Sequence, residues 1–349
     1  MVTNPTEAPP PWAAPAVAGR FTREVVDSPA LAGNPLGDPA QRPLWVYTPP
    51  GYDQEPGRRY PAVYVIQGFT GQADMWWNRR PWQPGFPVLI DQLFATAAVP
   101  PAVVALVDAW TSLGGSQFLN SPATGRYMDY LTQDVVGAVD ARYRTVADRD
   151  HRALAGKSSG GYGAMVVPML APEVFGALAT HAGDAGFELC YLADVAVAAR
   201  SLRDDYEGSY DRFWEAFSSR AAFAKRSDAA LLNTYAMAAC YSAEPDGTVT
   251  LPFDPVTAAL RDDVWARWQA HDPVRMAPRH ADALRSLRAV WVDAGRSDDY
   301  WLDLGAQAFA AQLGELGVAH RFELFEGTHS GIEHRYPLAL RYLVEALTP

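Results

Sequence analysis

The sequence predicts an α/β fold, a mostly parallel central sheet flanked by helices, with a mainly helical, aromatic-rich insertion. Three observations point there. Short apolar runs recur along the chain and end in polar or glycine-rich residues. Helical patterns lie between several of them, and one run leads straight into Gly156-Lys157-Ser158-Ser159-Gly160. Continuous apolar runs suit parallel strands buried on both faces. Their alternation with helices implies right-handed crossovers, with ligand chemistry at the carboxyl ends of the strands.

At 349 residues, 49% hydrophobic and 20% charged, the chain has the balance of a globular protein with ample core material. A formal net charge of -11 argues against nucleic acid and anionic membrane surfaces as partners. No apolar stretch reaches membrane-spanning length. Cys190 and Cys240 lie in apolar surroundings without C-x-x-C spacing; they could pair, but two buried free thiols are the expected reading. Met1 to Ala18, rich in Pro and Ala, lacks the basic start and apolar core of a signal peptide, so a cytoplasmic location is expected. A homo-oligomer stays open.

Taken in order, residues 1–20 read as a flexible arm, because five prolines leave little that pairs or packs. β segments follow near Phe21–Val26 and Pro43–Thr48, then the apolar runs Ala62–Ile66, Ala102–Val107, Ala153–Ala155, Phe175–Thr180 and Ala289–Val292. Helical patterns cover Tyr127–Tyr143, Leu302–Leu316 and Ala339–Leu347. The rhythm breaks between Asp184 and about Leu284, where aromatics from Tyr191 to Trp268 lie in helix-compatible segments. This places a core at 21–184 and 285–349 and a cap insertion at 185–284. Burial statistics assign most of these aromatics to internal packing.

Gly156-x-Ser158-x-Gly160 sits between a strand and a helix, as in a nucleophile elbow whose strained serine needs small neighbours. A phosphate-binding loop fails, since His151 stands where its first glycine belongs. A serine hydroxyl needs a base, and the base needs an acid to orient it. Of the seven histidines, His329 lies in the loop just past the strand Arg321–Phe325, where the base belongs. For the acid, Asp298 comes first in the loop after Ala289–Val292, with Asp299 and Asp184 as competitors. At least one of Asp298 and Asp299 is expected to cap the helix starting near Tyr300. An oxyanion hole would draw on the N–H of Ser159 and of Phe69 in Gln67-Gly68-Phe69-Thr70-Gly71.

These segments resemble the esterase D-like family of α/β-hydrolases, over about residues 40–347. The matching stretches are Tyr64-Val65-Ile66-Gln67-Gly68, Gly156–Ala164, Gly295-x-x-Asp298, Gly327-x-His329-Ser330 and Gly125–Leu131. That family includes S-formylglutathione hydrolases, feruloyl and acetylxylan esterases, enterochelin-type esterases and mycolyltransferases. The resemblance implies an α/β-hydrolase fold, a Ser158–His329–Asp298 triad and oxyanion donors at Phe69 and Ser159. It departs at Gln67, Lys157, Ser159 and the insertion, so substrate does not carry over. The expectation is a serine carboxylic-ester hydrolase acting on a small-molecule ester, with no metal or organic cofactor. An acyltransferase and a non-catalytic binding protein of the same fold are the alternatives.

Overall fold

The apolar runs pair into one eight-stranded sheet among the described residues, 17–79, 82–221 and 225–348 of this computed structural model. Its strands are β1 (Arg20–Asp27), β2 (Gln41–Thr48), β3 (Ala62–Ile66), β4 (Val103–Val107), β5 (Arg152–Lys157), β6 (Ala177–His181), β7 (Ala289–Gly295) and β8 (Arg321–Phe325). They lie in the order β1-β2-β4-β3-β5-β6-β7-β8. β2 runs antiparallel to both β1 and β4; every other pairing is parallel. This is an α/β-hydrolase architecture.

The helices are α1 (Phe86–Ala95), α2 (Val136–Arg142), α3 (Ser159–Leu170), α4 (Leu192–Asp205), α5 (Tyr210–Ser218), α6 (Asp228–Tyr241), α7 (Asp262–Gln269), α8 (Leu302–Glu315) and α9 (Tyr336–Leu347), with shorter turns between. The central strands are apolar throughout because both sheet faces are covered. Val63, Val65, Val104 and Leu106 pack with Ile90 of α1 and Leu343 of α9. Tyr64, Ile66, Val103 and Ala105 face the other way, toward Val139, Val166 and Phe309 of α2, α3 and α8. A period of two thus divides one apolar run between two cores.

Two expectations need adjustment. Of the arm over 1–20, residues 1–16 lie outside the described residues. The N–H groups of Ala18 and Gly19 donate to the Asp91 carboxylate at 2.9 and 2.8 Å, and Arg20 already belongs to β1. The helix over Tyr127–Tyr143 is interrupted by a π-helical stretch at Tyr130–Val135. Its wider turn carries Asp134, which accepts from the Ser28 hydroxyl at 2.5 Å and the Ala30 N–H at 3.1 Å. Cys190 and Cys240 are buried free thiols.

Between β6 and β7 the chain is mostly helical. Its aromatics divide. Tyr191, Tyr241, Trp265 and Trp268 extend the core under α3, whereas Tyr206, Tyr210 and Phe213 form a separate cluster with Val195, Leu202 and Leu231. Among the described residues no helix is long and apolar enough to cross a membrane.

A buried polar cluster closes the sheet beneath β6 and β7. His181 Nδ1 meets Asp293 Oδ1 at 2.6 Å, and Asp293 Oδ2 accepts from Trp291 Nε1 at 2.9 Å and Arg335 Nε at 3.0 Å. Burial pushes the Asp293 carboxyl up, but the His181 charge and hydrogen bond, with Trp291 and Arg335, outweigh it and leave it lowered. Losing one partner of such a cluster strands buried charge. Arg335→Leu is therefore expected to cost about 3–5 kcal/mol in urea unfolding. A loss under about 1 kcal/mol, the range of an exposed ion pair, would contradict this account.

Candidate active site

β5 ends at Lys157 and α3 begins at Ser159, so Ser158 alone makes the turn between them. Its φ of 57° and ψ of -127° lie in backbone space that an L-residue occupies only under constraint. The constraint is visible. The Ser158 N–H donates to the carbonyls of His181 and Ala182 at 3.0 and 3.1 Å, the last residue of β6 and the one after it. Its own carbonyl accepts the Tyr162 N–H at 2.8 Å, an α-helical bond that starts α3. The turn is tight enough to require glycine on both sides. A Cβ on Gly156 would lie 2.3 Å from the Gly160 oxygen, and one on Gly160 would lie 2.4 Å from the Ile66 oxygen. Ser158 therefore stands at the positive end of α3, where the first N–H groups have no partner inside the helix.

The loop after β7 brings in Asp298. The Asp298 N–H donates to the Gly295 carbonyl at 3.1 Å, and Asp298 Oδ1 accepts the N–H groups of Tyr300 and Leu302 at 2.9 and 3.3 Å. Its other oxygen, Oδ2, lies 2.8 Å from His329 Nδ1, and the pair is buried. One carboxylate thus caps the turn entering α8 and orients the imidazole. With Nδ1–H given to Asp298, neutral His329 keeps Nε2 as its free lone pair. The Tyr300 ring packs edge-on against His329 at 4.9 Å.

The competing carboxylates sit elsewhere. Asp299 Oδ2 accepts the backbone N–H of His329 at 3.4 Å, steadying the loop rather than the ring. Asp184 Oδ2 accepts from the Ser159 hydroxyl at 3.1 Å, Gln117 Nε2 at 3.1 Å and the Tyr191 hydroxyl at 3.0 Å. Burial pushes the Asp184 carboxyl up, although these donors and the His329 charge oppose it. Of the three carboxylates weighed from the sequence, Asp298 is the one that touches the imidazole.

Ser158 and His329 line one cavity of about 870 Å³. The loop Gln67–Gly71 forms its rim, and Gly68 comes so close that a Cβ there would lie 3.1 Å from the Ser158 Cβ. Phe69 and Ser159 flank Ser158 in the same wall. An apolar side is made by Met75, Trp76, Phe86, Leu89 and Tyr336. The stretch between β6 and β7 adds Tyr191, Asp194, Leu232 and Asn233 to the lining. Sequence patterns gave no sign of Asp194, Asn233 or Gln117, which reach the site only through helix packing and loop shape. His334 borders the cavity as well. Among the described residues no group of three His, Cys, Asp or Glu side chains could hold a metal ion.

A serine in a strained turn, a buried histidine–aspartate pair and a glycine rim meet at the carboxyl ends of β3, β5, β7 and β8. The family model described as "Putative esterase" matches residues 39–336. The chain belongs to that family. It is similar to an endo-1,4-beta-xylanase/feruloyl esterase of Xylanibacter ruminicola, at 27% identity over 134 residues. That match takes in 38% of this chain and 18% of the relative's length. Among solved structures, a ferulic acid esterase superposes with a TM-score of 0.60 at 17% identity, over 95% of this chain and 100% of the other. An S-formylglutathione hydrolase from Agrobacterium tumefaciens gives 0.56 at 16% identity, over 96% and 98%. At such identities the structures speak to the fold.

The Asp184 carboxyl has a pH signature. A carboxyl raised above its unfolded value of about 3.9 weakens the fold as pH climbs from that value through the raised one, and the penalty is complete above it. An asparagine oxygen can accept the same three donors without that penalty. The Tm advantage of Asp184→Asn over wild type is therefore expected to grow from about pH 4 toward neutrality. A difference independent of pH, followed by thermal melts, would count against a raised Asp184.

Proposed function

We propose that the protein is a serine carboxylic-ester hydrolase acting through an acyl-enzyme. Ser158 Oγ attacks the ester carbonyl carbon while His329 Nε2 takes its proton. The C–O bond to the leaving alcohol then breaks as His329 returns that proton to the departing oxygen. Water, deprotonated by the same nitrogen, releases the acid and restores Ser158. Asp298 holds the imidazole and stabilises its cationic form, without itself taking the proton. The N–H groups of Ser159 and Phe69 meet the developing oxyanion, and the N-terminus of α3 adds its dipole. The apolar wall of Trp76, Phe86 and Leu89 suits a hydrophobic part of a small-molecule ester. These steps call on no metal or organic cofactor.

One observation carries the reading: the 2.8 Å contact with Asp298 fixes the ring of His329, which lines the same cavity as a serine held at φ 57°. A buried aspartate gripping a histidine Nδ1 is an ordinary way to fix a ring. Beside a strained, glycine-flanked serine at a helix N-terminus it is the arrangement acyl transfer needs.

Kinetics with p-nitrophenyl acetate test it. Ser158→Ala is expected to remove turnover to background, and Asp298→Asn to lower kcat by about 10⁴-fold with the fold intact. Asp184→Asn should stay within about tenfold of wild type, because Asp184 does not touch the ring. If Asp184→Asn is the damaging change and Asp298→Asn the mild one, the acid is misassigned. If wild-type protein is inert toward p-nitrophenyl esters of several acyl lengths, the esterase reading fails.

A further inference from the structure

We propose that Asp194, Asn233 and Tyr300 form a subsite for a cationic ammonium group carried by the ester substrate. The proposal names a substrate class for the cavity and rests on the esterase reading.

Asp194, in the first turn of α4, and Asn233, on α6, face the reaction cavity together with Ser158 and His329. Asn233 Nδ2 donates to Asp194 Oδ2 at 2.9 Å. The carboxylate has no ion-pair partner among the described residues. Burial pushes its carboxyl up, and the Asn233 amide is the group that opposes this. A carboxylate drawn out of water without a counter-ion is unfavourable, and a cation arriving with substrate would relieve it.

The surrounding groups suit such a cation. Tyr191 and Tyr300 line the same cavity, and aromatic faces beside a carboxylate attract alkylammonium groups. Burial is the largest influence raising the Tyr300 hydroxyl, and among charges Asp194 comes first, ahead of Asp299 and Asp298. The same half-exposed Tyr300 ring packs against His329 at 4.9 Å, so it shares the cavity with the carboxylate and touches the base. The cavity's lysine, Lys157, already has an interaction of its own. Beyond Asp194 and Ala229 the cavity adjoins a hollow of about 470 Å³, bordered by Val197, Arg226, Ser227 and Ala230. Asp194 therefore stands at a junction with space on both sides. Arg226, in that hollow, makes no ion pair with it among the described residues.

The test separates binding from chemistry. Calorimetry on Ser158→Ala protein would compare choline acetate with its uncharged tert-butyl isostere. The cationic ester is expected to bind at least about tenfold more tightly. Adding Asp194→Asn should bring that ratio close to one, adding Asp194→Glu should retain part of it, and adding Tyr300→Leu should lower it several-fold. Equal affinity for the two esters in Ser158→Ala protein overturns the proposal before any further variant is made. So does a preference that survives Asp194→Asn. Wild-type turnover of p-nitrophenyl acetate without a charge preference would sink the subsite and leave the esterase standing. A charge preference in binding without turnover of any ester would overturn the esterase reading, and with it the ester substrate, leaving a cation-binding site alone.

Discussion

The site depends on a turn made by a single residue. Ser158 holds a positive φ because its N–H is tied to two carbonyls at the end of β6 and its carbonyl is committed to α3. Gly156 and Gly160 allow β5, β3 and α3 to approach within distances no side chain would permit. The strain is thus distributed over the most buried part of the sheet, where each strand is locked between two cores. The hydroxyl is carried to the carboxyl edge of the sheet, beside a helix N-terminus, with no freedom to relax into the turn.

Everything else reaches that point from separate strands. β3 delivers the Gln67–Gly71 rim, β7 the Asp298 loop and β8 the His329 loop. Asp298 serves two needs with two oxygens, since one caps the entry to α8 and the other grips the imidazole. That economy makes the acid rigid: the carboxylate cannot swing from the histidine without uncapping the helix. Asp184 illustrates the opposite case. Its position after β6 is also a strand end, but its Oδ2 accepts from Gln117, Ser159 and Tyr191 rather than from the imidazole.

Much of this was legible in the sequence, and the reason is local. Buried parallel strands are short apolar runs, and the elbow is spelled by residues within five positions of each other. Ser158, Asp298 and His329 could be proposed because each follows a recognisable strand. The choice among Asp298, Asp299 and Asp184 could not be closed there, because it depends on which oxygen points where. The expectation that one of Asp298 and Asp299 caps the helix is met only at one remove, because Trp301 is the N-cap and Asp298 ties down the turn before it while also holding the histidine. The π-helical stretch at Tyr130–Val135 was hidden because its apolar spacing still looks helical. Asp194 and Asn233 were invisible for a deeper reason. They lie on α4 and α6, and only the packing of those helices puts them in one wall. The proposed cation subsite rests on tertiary contacts, whereas the candidate triad is written in strand ends.

The account stands or falls on whether Ser158 is an activated nucleophile. Treating the wild-type protein with a fluorophosphonate and mapping the modified peptide by mass spectrometry tests this directly. The account predicts one stoichiometric adduct, on Ser158, forming far more slowly in His329→Ala protein. No adduct, or one on another residue with Ser158 unmodified, would contradict it.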